Sequence, residues 1–176
     1  MALKATIFKA ELQVSDMERG HYQSYHLTLA RHPSETTERL MIRLAAFALN
    51  ADQTLSFTKG LCRDDEPELW LKNMSGETLL WIDLGQLDEK RLRRACGLAQ
   101  QVIVYLYSRR SAEAQHRNRL QRYSNLKLAM LTVIGDTGLE SLVQRTMSLH
   151  ATIQDNQLWL SDENQTVTLE IENWFS

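Results

Sequence analysis

The chain has 176 residues, of which 43% are hydrophobic, and a formal net charge of −2. This length predicts one domain spanning residues 1–176, and the near-neutral charge excludes a protein that overall electrostatics would draw to nucleic acid or to an acidic membrane. Two cysteines make no disulfide framework and suit a reducing compartment. Because no apolar run approaches a membrane span and the N-terminus is unlike a signal peptide, we expect a cytoplasmic protein.

The first thirty residues alternate between apolar and polar side chains, which is typical of strands. We predict strands over 3–14 and 21–30, paired as a hairpin. Ser34 then predicts a helix over about 35–50, with Ser34 as its N-cap and Glu35 near the positive end of the helix dipole.

The rest of the chain alternates strands with helices. We predict, in order, strands over 53–60, 68–72 and 79–84, a helix over 88–101 capped by Asp88, a strand over 102–107, a helix over 111–121, a strand over 126–134, a short helix over 136–145, and strands over 147–154, 157–161 and 166–172. The apolar run from Val102 to Tyr107 is expected of a strand buried on both faces. The order predicts an α/β fold with a mixed sheet and flanking helices.

Two neighbouring strands each carry an acid and a tryptophan on one face. Side chains alternate along a strand, so Glu68 shares a face with Trp70, and Asp83 shares one with Trp81. Either tryptophan could stack on a nucleic-acid base, although tryptophan on a strand is more often part of the core. The two acids are the best candidates in the chain for a chemical site.

The register of these strands decides whether the acids meet. Pairing Lys72 with Leu79 would set the two tryptophans opposite each other and Glu68 opposite Asp83, with Cβ atoms about 5 Å apart. Two carboxylates at that range repel by roughly 3 kcal/mol at an effective dielectric of 20, so a divalent cation, a basic side chain or a shared proton is expected beside them. A register slip of two residues, or a Glu68 that points into water, would separate the acids instead.

Basic residues dominate the helix that follows. Lys90, Arg91 and Arg94 lie on it, and Arg109 continues the positive charge after the next strand. Such a run is most often the solvated face of a helix, but it could also bind a phosphate backbone. These four residues are therefore the candidate contacts to nucleic acid.

Several blocks of sequence resemble one bacterial family in order and spacing. They are Leu27–Thr36, Asp64–Trp70, Trp81–Gly85, Arg145–Asp155 and Trp159–Asp162. These blocks resemble the YaeQ proteins, and the match covers essentially the whole chain. That family is similar in fold to the PD-(D/E)XK (restriction-endonuclease-like) nucleases, whose core is a helix, a three-stranded antiparallel meander, a helix and another strand.

The resemblance implies a nuclease-like core over about 35–107, with additional strands over 3–30 and 147–172. It also implies a site, because the nuclease motif places one acid on the second strand of the meander and Asp or Glu, any residue, then Lys on the third. A glutamate on the first helix often joins them. Carried over, these acids are Glu68, Asp83 and Glu38, which would bind Mg²⁺ or Mn²⁺ through oxygen ligands.

The motif lysine is absent, because the position two after Asp83 is Gly85. Gln86 is the candidate to orient a catalytic water, and Glu66 is the second choice for the acid of the second strand. A migrated cation could come from Lys59, Lys72, Lys90 or Arg94. No organic cofactor is implied.

Three functions are compatible with this sequence. The first is a metal-dependent nuclease or phosphodiesterase. The second is a non-catalytic, regulatory module of the same fold that binds nucleic acid or a protein. The third is an interaction protein whose strands over 3–30 and 147–172 form the working surface.

Overall fold

The chain divides into two units, residues 1–51 with 133–170 and residues 52–132 with 171–176. The structure, a computed structural model, describes residues 4–59, 65–110, 112–113 and 122–175. The elements in chain order are β1 (Thr6–Asp16), β2 (His21–Arg31), α1 (Thr37–Leu49), β3 (Leu55–Phe57), β4 (Leu69–Lys72), β5 (Thr78–Leu84), α2 (Glu89–Leu98), β6 (Ala99–Leu106), β7 (Leu126–Ile134), a 3-10 helix (Leu139–Leu142), β8 (Thr146–Gln154), β9 (Gln157–Ser161) and β10 (Thr166–Phe175). The strands of each unit pair in both parallel and antiparallel directions, so the predicted mixed sheet is confirmed, and each unit holds one α-helix of this set.

The first unit is built on long paired strands. β1 and β2 form the predicted antiparallel hairpin, and β1 also runs parallel to β8. β9 pairs antiparallel with both β8 and β10. The turn between β8 and β9 is the predicted one, since Asp155 and Asn156 have φ values of 51° and 57°, as a tight hairpin requires.

Helix α1 is buried on every side over most of its length. Residues 40–48 are all buried, as expected of a helix inside a core rather than on a surface. The predicted N-cap was wrong by two residues: the side chain of Thr36, not Ser34, accepts a hydrogen bond from the Arg39 amide at 3.1 Å. The Ser34 hydroxyl lies 2.7 Å from Nδ1 of His32 instead.

The second unit contains the predicted succession of meander, helix and strand. β3, β4 and β5 are antiparallel neighbours, while β5, β6 and β7 run parallel. Helix α2 makes the connection between parallel β5 and β6, as such a connection requires. Residues 102–106 of β6 are buried, as predicted from their apolar run.

Some boundaries differ from the prediction. Helix α2 ends at Leu98 because Ala99 is already extended, with ψ 150°, and pairs with Thr78 of β5. The helix predicted over 136–145 is only the four-residue 3-10 helix, and the one predicted over 111–121 falls mostly outside the described residues. Among the described residues, no helix has the length and apolar character needed to span a membrane.

Candidate functional site

The meander places the two tryptophans as predicted. Trp70 of β4 lies opposite Trp81 of β5. Lys72 pairs with Thr78 rather than Leu79, however, because the register shifts by one residue between Leu71 and Lys72. The irregularity lies at the loop end of the hairpin, so it leaves the tryptophan pair undisturbed.

Glu68 immediately precedes β4 and is 6% exposed. Its amide donates to the Ile82 carbonyl at 3.0 Å, and its carbonyl accepts from the Thr58 amide at 3.1 Å. Backbone hydrogen bonds on both sides therefore hold Glu68 in the meander, in the same unit as Asp83.

Asp83 is 1% exposed, and both of its oxygens are hydrogen-bonded. Arg91 donates from Nη2 to Oδ1 at 2.8 Å and from Nε to Oδ2 at 3.0 Å. The indole Nε1 of Trp81, which lies on the same face of β5, donates to Oδ2 at 2.9 Å. A planar guanidinium matches a carboxylate in this bidentate geometry, so Asp83 is paired with a basic side chain.

Arg91 is positioned by the first turn of α2. Asp88 is the N-cap, as predicted, and accepts from the Arg91 amide at 2.7 Å. Arg91 lies one helical turn before Ala95, which is fully buried, and this places it at the border of the packed face. Its Nη2 also donates to the backbone carbonyl of Glu66 at 2.8 Å. The Arg91 side chain is 21% exposed, so water reaches one side of the ion pair.

Gly85 lies where the resemblance to nucleases would place a lysine, and its backbone conformation favours glycine. Its φ is +75°, a conformation that favours glycine, and its amide donates to the Tyr105 carbonyl at 2.8 Å. A Cβ at this position would lie 3.7 Å from Cε1 of Tyr107. A Cβ would fit this space, but any residue other than glycine would strain the backbone. Gln86, the next residue, is exposed.

The predicted site residues are distributed over both units. Glu68, Asp83 and Gln86 lie in the second unit, whereas Glu38 is exposed on the first turn of α1 in the first. Among the described residues, no group of three or more His, Cys, Asp or Glu side chains is arranged to hold a metal ion.

The basic residues of α2 separate into two environments. Lys90, Arg93 and Arg94 are exposed at i, i+3 and i+4 spacing, which places them on one face of α2. A hydrogen bond with Tyr123 raises the pKa of the Arg93 guanidinium, and exposed Glu89 lies 3.5 Å away. Arg91 instead turns inward to Asp83. Arg109 is exposed.

A hollow of about 540 Å³ opens beside the tryptophan pair. Trp81 is 2% exposed and belongs to the core, while Trp70 is half-buried. Lys72 covers the Trp70 ring, with Nζ 3.7 Å from the ring centroid. Any base stacking on that face would have to displace Lys72.

Sequence reasoning missed the role of Arg91, which it treated as one more surface cation. The signal that could have found it is the apolar stripe of α2. The buried residues of that helix are Leu92 and Ala95. Arg91 adjoins Leu92 and precedes Ala95 by one turn, so it borders the buried face.

Fold and site together define a class: an α/β protein with a mixed sheet, in which Arg91 of α2 binds Asp83 on the third strand of the meander. The chain belongs to the YaeQ family, since the family model described as "YaeQ protein" matches residues 1–171.

Individual relatives agree with this assignment. The chain is 44% identical to the YaeQ proteins of Escherichia coli (strain K12) and Salmonella typhi, over 99% of this chain and 98% of each relative. Both are described as uncharacterized, so they lend no activity. The crystal structure of YaeQ from Xanthomonas axonopodis pv. citri is similar, with a TM-score of 0.89 and 45% identity over 97% of this chain and 98% of that one. The crystal structure of YaeQ from Pseudomonas syringae has a TM-score of 0.88 and 30% identity, over 98% of this chain and 97% of that one.

Proposed function

We propose that this protein is a non-catalytic, cytoplasmic nucleic-acid-binding module built on a PD-(D/E)XK-like core. The bidentate ion pair between Arg91 and Asp83 carries the non-catalytic part of the proposal. The exposed basic residues of α2 carry the nucleic-acid part. The succession of α1, the β3–β5 meander, α2 and β6 supports the relationship to that core.

The ion pair argues against catalysis because it occupies the acid that a metal would need. Hard cations such as Mg²⁺ bind carboxylate oxygens, and both oxygens of Asp83 already accept hydrogen bonds. The guanidinium also places positive charge beside them, where a cation would be repelled. As arranged, Asp83 does not fit a metal ion.

The charge of the second unit supports a polyanionic partner. Residues 52–132 with 171–176 carry thirteen Lys and Arg against eleven Asp and Glu, although the whole chain is net negative. Lys90, Arg93 and Arg94 present exposed charge on one face of α2, and Arg109 is exposed in the same unit. Basic groups on a helix face bind phosphates and release counterions, which makes the affinity salt-dependent.

Fluorescence anisotropy with labelled single-stranded DNA, duplex DNA and RNA tests the proposal. We expect binding that weakens as salt rises, and a slope of log affinity against log salt that falls by about 2 in the variant Lys90→Gln/Arg94→Gln. The matched control is Lys9→Gln, an exposed lysine of the first unit, which should leave the slope unchanged. Absence of binding to all three probes at low salt would overturn the proposal.

A metal-dependent nuclease is the second candidate, favoured by the burial of Glu68 and Asp83 in the same meander. In that function Glu68 and Asp83 would hold Mg²⁺ or Mn²⁺ with help from Glu38, and Gln86 would orient the attacking water. It requires Arg91 to leave Asp83. Calorimetric titration with Mn²⁺ of the natural protein and of Asp83→Ala distinguishes this function from the first. Identical isotherms would exclude Asp83 as a metal ligand.

A further inference from the structure

β2 is an edge strand whose free side lacks the usual protection against association. It pairs with β1 along all eleven of its residues without a bulge, and with no other described strand. Edge strands of natural proteins are usually very short, bulged, or interrupted by lysine or proline. β3, the edge strand of the second unit, has only three residues. β2 is long and regular, and it contains no proline, lysine or acid.

The hydrogen bonds of β1 show which backbone groups of β2 point to the free side. The Lys9 amide of β1 donates to the Arg145 carbonyl at 2.9 Å, on the side of β8. Backbone groups alternate in direction along a strand, so the even-numbered residues of β1 bond the odd-numbered residues of β2. The even-numbered residues of β2 therefore direct their amides and carbonyls away from β1.

The free side of β2 is open over most of its length and closed near its C-terminal end. Nη2 of Arg43 donates to the Ala30 carbonyl at 2.9 Å, which agrees with the outward direction of that carbonyl. Four earlier residues have outward backbone groups without a partner in the described part of the chain, namely Tyr22, Ser24, His26 and Thr28. Their side chains are exposed as well, and Tyr22 is 64% exposed.

We propose that this chain forms a symmetric dimer in which the Tyr22–Thr28 segments of two copies pair as antiparallel strands. The open segment is centred on Tyr25, so a two-fold axis at that residue pairs every outward-facing residue with one of the second copy. This register uses all the open groups and gives about eight backbone hydrogen bonds between the copies. A two-fold interface is closed, so association stops at the dimer.

The side chains favour a second copy as the occupant of this edge. In the proposed register Tyr22 lies opposite Thr28 of the second copy, and Ser24 opposite His26, where a hydroxyl can hydrogen-bond an imidazole. Residues 21–30 contain no Lys, Arg, Asp or Glu, so two copies meet without like-charge repulsion. A charged peptide would find no opposite charge there. The pairing also covers Leu27, which is only half-buried on the inner face.

Sedimentation equilibrium of the full chain, from low to high micromolar concentration, tests the dimer. We expect a monomer–dimer equilibrium. Ser24→Pro removes one outward amide and leaves the bonds to β1, so the dissociation constant should rise at least about tenfold. Ser24→Lys, which places a charge on the edge, is the second variant. The matched control is Gln13→Lys, because Gln13 is exposed opposite Ser24 on β1 but does not lie at the edge.

A disulfide experiment tests the register. Residues in a hydrogen-bonded antiparallel pair have Cα atoms about 5.5 Å apart, within the range that a disulfide spans. In a Cys62→Ser/Cys96→Ser background, Ser24→Cys/His26→Cys should therefore cross-link two copies under oxidising conditions, and Ser24→Cys alone should not.

Three results would overturn the proposal. The first is a monomer at every concentration, which would leave the edge to another partner or to none. The second is a dimer that Ser24→Pro and Ser24→Lys weaken no more than Gln13→Lys does. The third is equal cross-linking of the single and double cysteine variants. Far-UV circular dichroism of each variant verifies that the strand change has not unfolded the protein.

Discussion

Each unit contains a buried carboxylate bound by an arginine eight residues later in the sequence, but the two ion pairs differ in solvent access. In the first unit Glu35 binds Arg43, and their side chains are 1% and 3% exposed. In the second unit Asp83 binds Arg91, and the arginine is 21% exposed. Both pairs join a carboxylate to a guanidinium, but water reaches the guanidinium of Arg91 and hardly reaches that of Arg43.

The surroundings extend this difference. Arg39 also binds Glu35, and Nη2 of Arg43 also donates to the Ala30 carbonyl at 2.9 Å. These bonds join the loop before α1 to the helix itself and to the end of β2. The Arg91 pair instead borders solvent at the start of α2. We infer that the first pair is purely structural, whereas the second can be disturbed without loss of the fold.

The largest effect is expected from Arg43→Ala. It leaves the buried Glu35 carboxylate with Arg39 alone, and breaking a buried ion pair costs about 4 kcal/mol. Urea unfolding should show that decrease in the free energy of unfolding. Arg39→Ala, which keeps the Arg43 pair, should cost clearly less. A cost below about 1 kcal/mol for Arg43→Ala would contradict the structural role.

Arg91→Ala should destabilise less, by about 2 to 3 kcal/mol, because Asp83 keeps the Trp81 hydrogen bond and gains some access to water. The same urea experiment measures it. The control is Arg94→Ala on the same helix, whose exposed side chain should change stability by no more than about 0.5 kcal/mol. If Arg91→Ala costs as much as Arg43→Ala, the contrast between the two ion pairs fails.

The thiol of Cys96 reports the packing of the second unit. Burial raises the pKa of Cys96 from 9.0 to about 11. The thiolate is the reactive form, so the raised pKa should slow alkylation of the folded protein at pH 8. Because the thiol is only partly buried, we expect a rate roughly tenfold below that of the unfolded protein. Iodoacetamide labelling in a Cys62→Ser background measures this.

The same thiol gives a direction for stability against pH. The unfolded thiol loses its proton near pH 9 while the folded one keeps it to a higher pH, so stability should fall as pH rises from 9 toward 11. In the iodoacetamide experiment, equal labelling rates of Cys96 in the folded and unfolded states would show that the thiol is not packed against the core.

The smallest effect concerns the start of α1. Thr36→Ala removes the N-cap hydrogen bond and should cost about 1 kcal/mol. Ser34→Ala is the matched control and should cost less, since Ser34 lies outside the helix cap. If Ser34→Ala cost more stability than Thr36→Ala, Ser34 would be the N-cap, as predicted from the sequence.

Sequence alone predicted most elements and their order, because alternation and apolar runs depend on local periodicity. The strand over 126–134 was predicted correctly for that reason. The Trp70–Trp81 pairing was predicted from an assumed pairing of Lys72 with Leu79; the tryptophans do pair, but Lys72 pairs with Thr78. The end of α2 was not predicted correctly, since Ala99 leaves the helix to pair with Thr78 of β5, a contact that no local pattern reveals. The joint metal role of Glu38, Glu68 and Asp83 stays a prediction.

The sequence by itself determined the family, the mixed sheet and the position of the two acids in the meander, since these follow from short-range pattern and spacing. Only the tertiary structure decided which charges meet. Asp83 and Arg91 belong to different elements, and their contact depends on how α2 packs beside β5. Likewise β2 lies at an edge because it pairs with β1 and with no other described strand, which depends on how the sheet is assembled rather than on the β2 sequence.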